Sequence, residues 1–124
     1  MMKIDFIKNG NPDCPILRIY GNREMDYESL INAIKEIINK KKYPVEITAL
    51  KNFESQIKLN FVLNDFDRGV LSSDYKNFTC ELTENTWRDI VEKLIALKNL
   101  NASGYQWLNE SSDISLLVST DGKW

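Results

Sequence analysis

Between Tyr27 and Ile38 the apolar residues Tyr27, Leu30, Ile31, Ile34, Ile37 and Ile38 fall at i, i+3, i+4, i+7, i+10 and i+11, which is one stripe along a helix. Trp87, Ile90, Val91, Leu94, Ile95 and Leu97 draw a second stripe 60 positions on. A helix with a single apolar stripe must bury it against another element, so these two segments constrain the architecture more than anything else in the chain. Runs around them alternate with the period of a strand: Ile57, Leu59, Phe61 and Leu63 share one face, as do Phe78, Cys80 and Leu82. Shorter β-branched or aromatic runs at 15–20, 45–50, 105–109 and 114–119 read as further strands, and residues 2–7 as one leading into an Asn9-Gly10 turn.

Asp26 is the expected N-cap of the first helix, Lys40, Lys41 and Lys42 complement its C-terminal dipole, and Pro44 stops it. Thr83 is the expected cap of the second, with Asp89 and Lys93 paired on its outer face. Strands joined by short turns pair antiparallel. The reading is therefore an α+β two-layer sandwich, a mainly antiparallel sheet of six or seven strands with both helices on one face. The order strand, helix, strand, strand occurs twice, in residues 14–64 and 76–124. A shift of 60 aligns the helical stripes and a shift of 57 lays Ile57, Leu59 and Phe61 on Ile114, Leu116 and Val118, the pattern of a tandem β-α-β-β pseudo-repeat. With 124 residues, 43% hydrophobic and 27% charged, the chain reads as one globular domain, 1–124. Charges interrupt what would have to be the apolar part of a secretion signal, so a cytoplasmic address is expected, with Cys14 and Cys80 as reduced thiols and the sequons at Asn77, Asn101 and Asn109 as chance, while the abundance of Asn, Ile and Lys points to an AT-rich, bacterial coding genome.

The chain has no histidine, which removes the Ser-His-Asp and Cys-His nucleophile systems and the histidine-bearing metal sites in one step. Neither G-x-x-x-x-G-K-[ST] nor G-x-G-x-x-G occurs. Asp65-x-Asp67-x-Gly69 resembles the start of a calcium loop, but Gly69 stands at the third ligand position and no closing Glu follows. Glu110 and Asp113 flank a turn, too common a feature among 18 acidic residues to carry a glycosidase reading. Expected catalytic, cofactor-binding and metal residues are accordingly none. Residues 1–62 carry 10 basic and 8 acidic side chains and 63–124 carry 6 and 10, with one basic run at Lys40–Lys42, so neither nucleic acid nor membrane is an expected partner. RNA binding on an aromatic sheet face would need nearby cations, for which Lys58 and Lys76 are the candidates.

Aromatic residues gather near the C-terminus. Trp107 is expected in the core beside Trp87, yet Tyr105 and Trp107 alternate with Gln106 and Leu108, so one apolar member of the strand faces away from the core. The expected contact residues are Tyr105, Trp107, Leu108 and Trp124, with Arg68 outlying on the Asn64–Gly69 turn. These point to a non-catalytic interaction domain, an adaptor, inhibitor or immunity-like protein, whose partner is another protein or its own copy. The rival is a small-molecule-binding domain or carboxylate-dependent enzyme with a pocket between helices and sheet or at the seam of the two halves.

Overall fold

A computed structural model describes residues 1–11, 14–21, 24–41, 43–100 and 103–124. Lys42 and Asn101, which figure in the expectations above, lie outside the described residues. The chain is α+β. Its elements are β1 (Met2–Asn11), β2 (Cys14–Tyr20), α1 (Glu24–Lys40), β3 (Val45–Glu46), β4 (Phe53–Ser55), β5 (Lys58–Leu63), β6 (Gly69–Leu71), β7 (Asn77–Leu82), α2 (Glu84–Lys98), β8 (Tyr105–Asn109) and β9 (Ser115–Ser119).

The strands do not form one antiparallel sheet. They form two mixed sheets, of five strands in the order β4-β1-β2-β9-β8 and of four in the order β3-β5-β7-β6. The difference lies in β2 with β9 and β5 with β7, which pair in parallel although far apart in sequence. No short turn connects such strands, so turn chemistry could not announce them. The run at 45–50 also departs from expectation. Only Val45 and Glu46 are strand, and the backbone then tightens into a 3₁₀ turn at Ile47–Ala49 before β4 crosses to the other sheet and lies parallel to β1. Asn9-Gly10 falls inside β1, and Gly10 packs so closely on Ile16 that an added Cβ would lie 2.8 Å from its Cδ1.

Both sheets contain one pairing order, antiparallel, parallel, antiparallel: β1-β2-β9-β8 in the first, β6-β7-β5-β3 in the second. In the parallel pairs Leu17 faces Leu116 and Ile19 faces Val118, while Phe78 faces Leu59 and Cys80 faces Phe61.

The helices pack against each other, and their stripes share one apolar core with the inner faces of both sheets. Trp87 is fully buried on Phe61, with ring centroids 4.6 Å apart, and its indole N–H donates to the Val62 carbonyl at 3.1 Å. Helix α1 begins at Glu24, so Asp26 is a buried first-turn residue and not the cap; it accepts from the Asn52 side chain at 3.2 Å and lies 3.3 Å from the Met1 amine. Thr83 does cap α2, accepting the Thr86 amide at 3.3 Å. No described helix is long and apolar enough to cross a membrane.

Candidate protein-binding face

The outer face of the five-stranded sheet follows from its register. Lys3, Tyr20, Ser119 and Tyr105 form one row across β1, β2, β9 and β8, and Asp5, Arg18, Leu117 and Trp107 form the next. Tyr105 and Trp107 therefore point away from the shared core, Tyr105 being exposed and Trp107 half-buried over Leu117. This corrects the expectation of a core Trp107 beside Trp87. Leu108 is corrected in the opposite sense: next to an outward-facing Trp107 it alternates to the inner face and lies at 3% exposure in the core, where it cannot touch a partner.

Arg18 organises this face. Its Nε and Nη2 donate to the two carboxylate oxygens of Asp5 at 3.0 and 2.7 Å, and its Nη1 donates to the Gly122 carbonyl at 2.8 Å. The bidentate bond to Asp5 raises the guanidinium pKa further, against a smaller cost of burial. The guanidinium lies 4.3 Å from the Tyr20 ring centroid and 6.0 Å from that of Trp124. Gly122 has φ +83°, a conformation L side chains rarely adopt, and turns the last residues back over the sheet end. The Ser119 hydroxyl donates to the Lys123 carbonyl at 2.7 Å, while the Lys123 amide donates to Asp121 Oδ1 at 3.0 Å and thereby holds that carboxyl below its ordinary pKa. Trp124 is thus set beside Tyr105, where both line a depression of about 160 Å³ with Ser103, Gly104, Asp121 and Lys123.

Arg68 is not part of this face. Its guanidinium is exposed, 3.6 Å from Glu81 Oε1, on the turn before β6. Gly69 abuts Asn109, Ser111 and Ser112, so Arg68 sits by the far end of β8 from Tyr105 and Trp124. The structure brings Tyr105, Trp107 and Trp124 together and leaves Arg68 and Leu108 out.

The residues the sequence reading missed are Arg18, Asp5 and Tyr20, whose signal was the hairpin itself: pairing 2–7 with 15–20 sets Asp5 opposite Arg18. Phe66 was also missed. It is 74% exposed in a turn fixed on both sides, where an apolar residue between two Asp has no core-facing role.

The other candidate groups have structural roles. Asp67 accepts the Thr83 amide and the Thr86 hydroxyl, each at 2.7 Å; burial alone would raise its pKa, but these bonds leave it lowered. It braces the start of α2, and the described residues hold no group of three Asp, Glu, Cys or His able to bind a metal. Glu110 and Asp113 are exposed on their turn. Lys93 does not pair with Asp89; its ammonium donates to the Trp107 carbonyl at 3.1 Å, on edge strand β8. Lys41 bonds Glu84 at 2.6 Å, and Lys58 and Lys76 stand at the four-stranded sheet, away from the aromatic face.

A cleft of about 620 Å³ opens between the ends of β2 and β9 and the C-terminal end of α2, lined by Lys3, Glu24, Tyr27, Lys98 and Asp121 among others. Two of its polar groups are committed within the chain. Tyr27 donates to the Gly21 carbonyl at 2.7 Å, burial pushes its pKa up to about 12, and Lys98 lies 3.2 Å from Glu28. No family model, no curated protein and no solved structure matches this chain.

Proposed function

We propose that this chain is a non-catalytic protein-interaction domain of the bacterial cytosol, an adaptor, inhibitor or immunity-like protein, that binds another protein or its own copy through the outer face of its five-stranded sheet. The supporting observation is that Tyr20, Tyr105, Trp107 and Trp124 share that face, with Tyr105 and Trp124 at 47% and 43% exposure. Exposed aromatic side chains on a fixed sheet surface lose little conformational entropy on docking and are enriched among the residues that dominate interfaces. The continuous apolar core shared by the helices and both sheets, and the commitment of Tyr27 and Lys98 of the cleft to partners within the chain, favour this reading over a small-molecule pocket.

The reading carries a finer architectural proposal, a tandem unit spanning 14–64 and 76–124. It is supported by the shared pairing order and by the equivalence of the Leu17–Leu116 and Phe78–Leu59 pairs. Each sheet then draws strands from both halves, so that neither half completes a sheet and the chain folds as one domain.

The test is native mass spectrometry of protein purified gently from its own host, beside a Tyr105→Ala/Trp124→Ala variant. The expected result is a second protein or second copy on the parent chain, lost in the variant at a nearly unchanged melting temperature. A folded variant that keeps its partner, or a parent monomer carrying a reproducible small-molecule mass, overturns the proposal.

A further inference from the structure

The depression between Tyr105 and Trp124 has a chemistry more specific than apolar contact. Asp121 lines it together with the two rings. Its Oδ1 is held by the Lys123 amide at 3.0 Å, so the carboxylate is pre-positioned rather than free to swing. A ring face attracts cations through its quadrupole, and a carboxylate beside it adds a charge-assisted hydrogen bond. The same surface already seats one guanidinium, since Arg18 lies over Tyr20 and close to Trp124. That cation is neutralised by Asp5, and its Nε, Nη1 and Nη2 all donate within the chain, so it neither answers an acidic partner nor strongly repels a basic one.

We infer that the Tyr105–Trp124–Asp121 depression is a receptor for a cationic side chain, an arginine or lysine presented by the partner protein. The inference rests on the interaction reading above and names what the partner must bring. Lys123 lines the same depression and opposes an incoming cation, which fixes the sign of its effect.

The probe is N-acetyl-Gly-Arg-Gly-amide, against the same peptide with neutral citrulline for arginine, titrated into the full chain by NMR. The three indole N–H signals are assigned through Trp→Phe variants. Trp87 is buried and serves as the silent control. The Arg peptide should shift the Trp124 indole saturably, about fivefold to tenfold tighter than the citrulline peptide. Asp121→Asn keeps one oxygen for the Lys123 amide, removes the charge and replaces the other oxygen by an N–H donor; it should weaken the Arg peptide about twofold to fivefold, and Lys123→Ala should tighten it by a similar factor. Equal affinity for the two peptides, no saturable shift of Trp124, or weaker binding by Lys123→Ala overturns the inference. The two proposals fail separately. If Tyr105→Ala/Trp124→Ala loses a captured protein that Asp121→Asn keeps at full affinity, the face stands and the cation receptor falls; if the peptide pattern holds while the double variant keeps its partner, the reverse is true.

Discussion

The arrangement of the aromatic face depends on Arg18, and that dependence has a size. Arg18→Ala removes two hydrogen bonds to Asp5, at 3.0 and 2.7 Å, and one to the Gly122 carbonyl, at 2.8 Å. Bonds to charged groups are each worth about 1.5–3 kcal/mol net when dry. Here the side chains are 20% and 43% exposed, and solvent screening brings the ion pair down. We therefore set its coupling at about 1 kcal/mol. The bond to Gly122 and the packing of the arginine stem over the sheet add about 1.5 kcal/mol together. Arg18→Ala should thus cost about 2.5 kcal/mol, Asp5→Ala about 1 kcal/mol, and the double variant no more than Arg18→Ala alone. For a chain of this length the Arg18→Ala loss lowers the melting temperature by about 8–12 °C. Urea unfolding of the four proteins gives the coupling, and hydrogen exchange at Lys123 and Trp124 reports whether the tail has come away. A coupling near zero, or a tail as protected in Arg18→Ala as in the parent, refutes the assignment of Arg18 as the anchor of this face.

Tyr27 should make stability fall at alkaline pH. Its proton is held to about pH 12 in the folded chain against about 10 when unfolded. The unfolded state therefore releases the proton first, and the stabilisation, complete below pH 10, disappears between pH 10 and 12 by about 2 kcal/mol. Tyr27→Phe should flatten that part of the stability curve while losing about 1 kcal/mol at neutral pH through the bond to Gly21; an unchanged alkaline slope counts against it. Gly69 has φ +76°, and an added Cβ would lie 2.9 Å from Asn109, Ser111 and Ser112. Gly69→Ala should lower stability by about 2 kcal/mol or more, measured by thermal melting, and a neutral effect would mean that the 110–113 turn is not seated on β6. Lys93→Ala frees the Trp107 carbonyl on edge strand β8, so it should cost about 1 kcal/mol and let the weight-average mass rise with concentration in sedimentation equilibrium. A variant as stable and as monodisperse as the parent would show that Lys93 does not guard this edge.

What was legible in the sequence was whatever has a local period. The stripes of α1 and α2, the alternation in β5 and β7 and the cap at Thr83 needed only neighbours a few residues apart, and the structure places each where its period puts it. Pairing across the chain has no such period. Whether β2 lies beside β9 is decided by how two distant apolar surfaces fit, and an error there turns two mixed sheets into one antiparallel sheet.

One signal for the correct arrangement was nevertheless present. Leu116, Leu117 and Val118 are consecutive apolar residues, as are Ile16 and Leu17, and a continuous apolar run marks a strand covered on both faces, the habit of parallel strands in a sheet interior. All five residues of β9 are indeed buried. Once β9 is taken as covered on both sides, its edge neighbour β8 must supply cover on the outer face as well as the inner one. Trp107 over Leu117 does the first and Leu108 the second, which removes the ambiguity that alternation alone left between them. Arg18 follows by the same logic. A charged residue in the midst of an interior apolar strand requires a partner on the adjoining strand, and the hairpin register offers Asp5 and nothing else of opposite charge directly across from it. Two-sided burial of β9 thus accounts for the position of the aromatic face, and the interior place of β2 for the anchor that holds it.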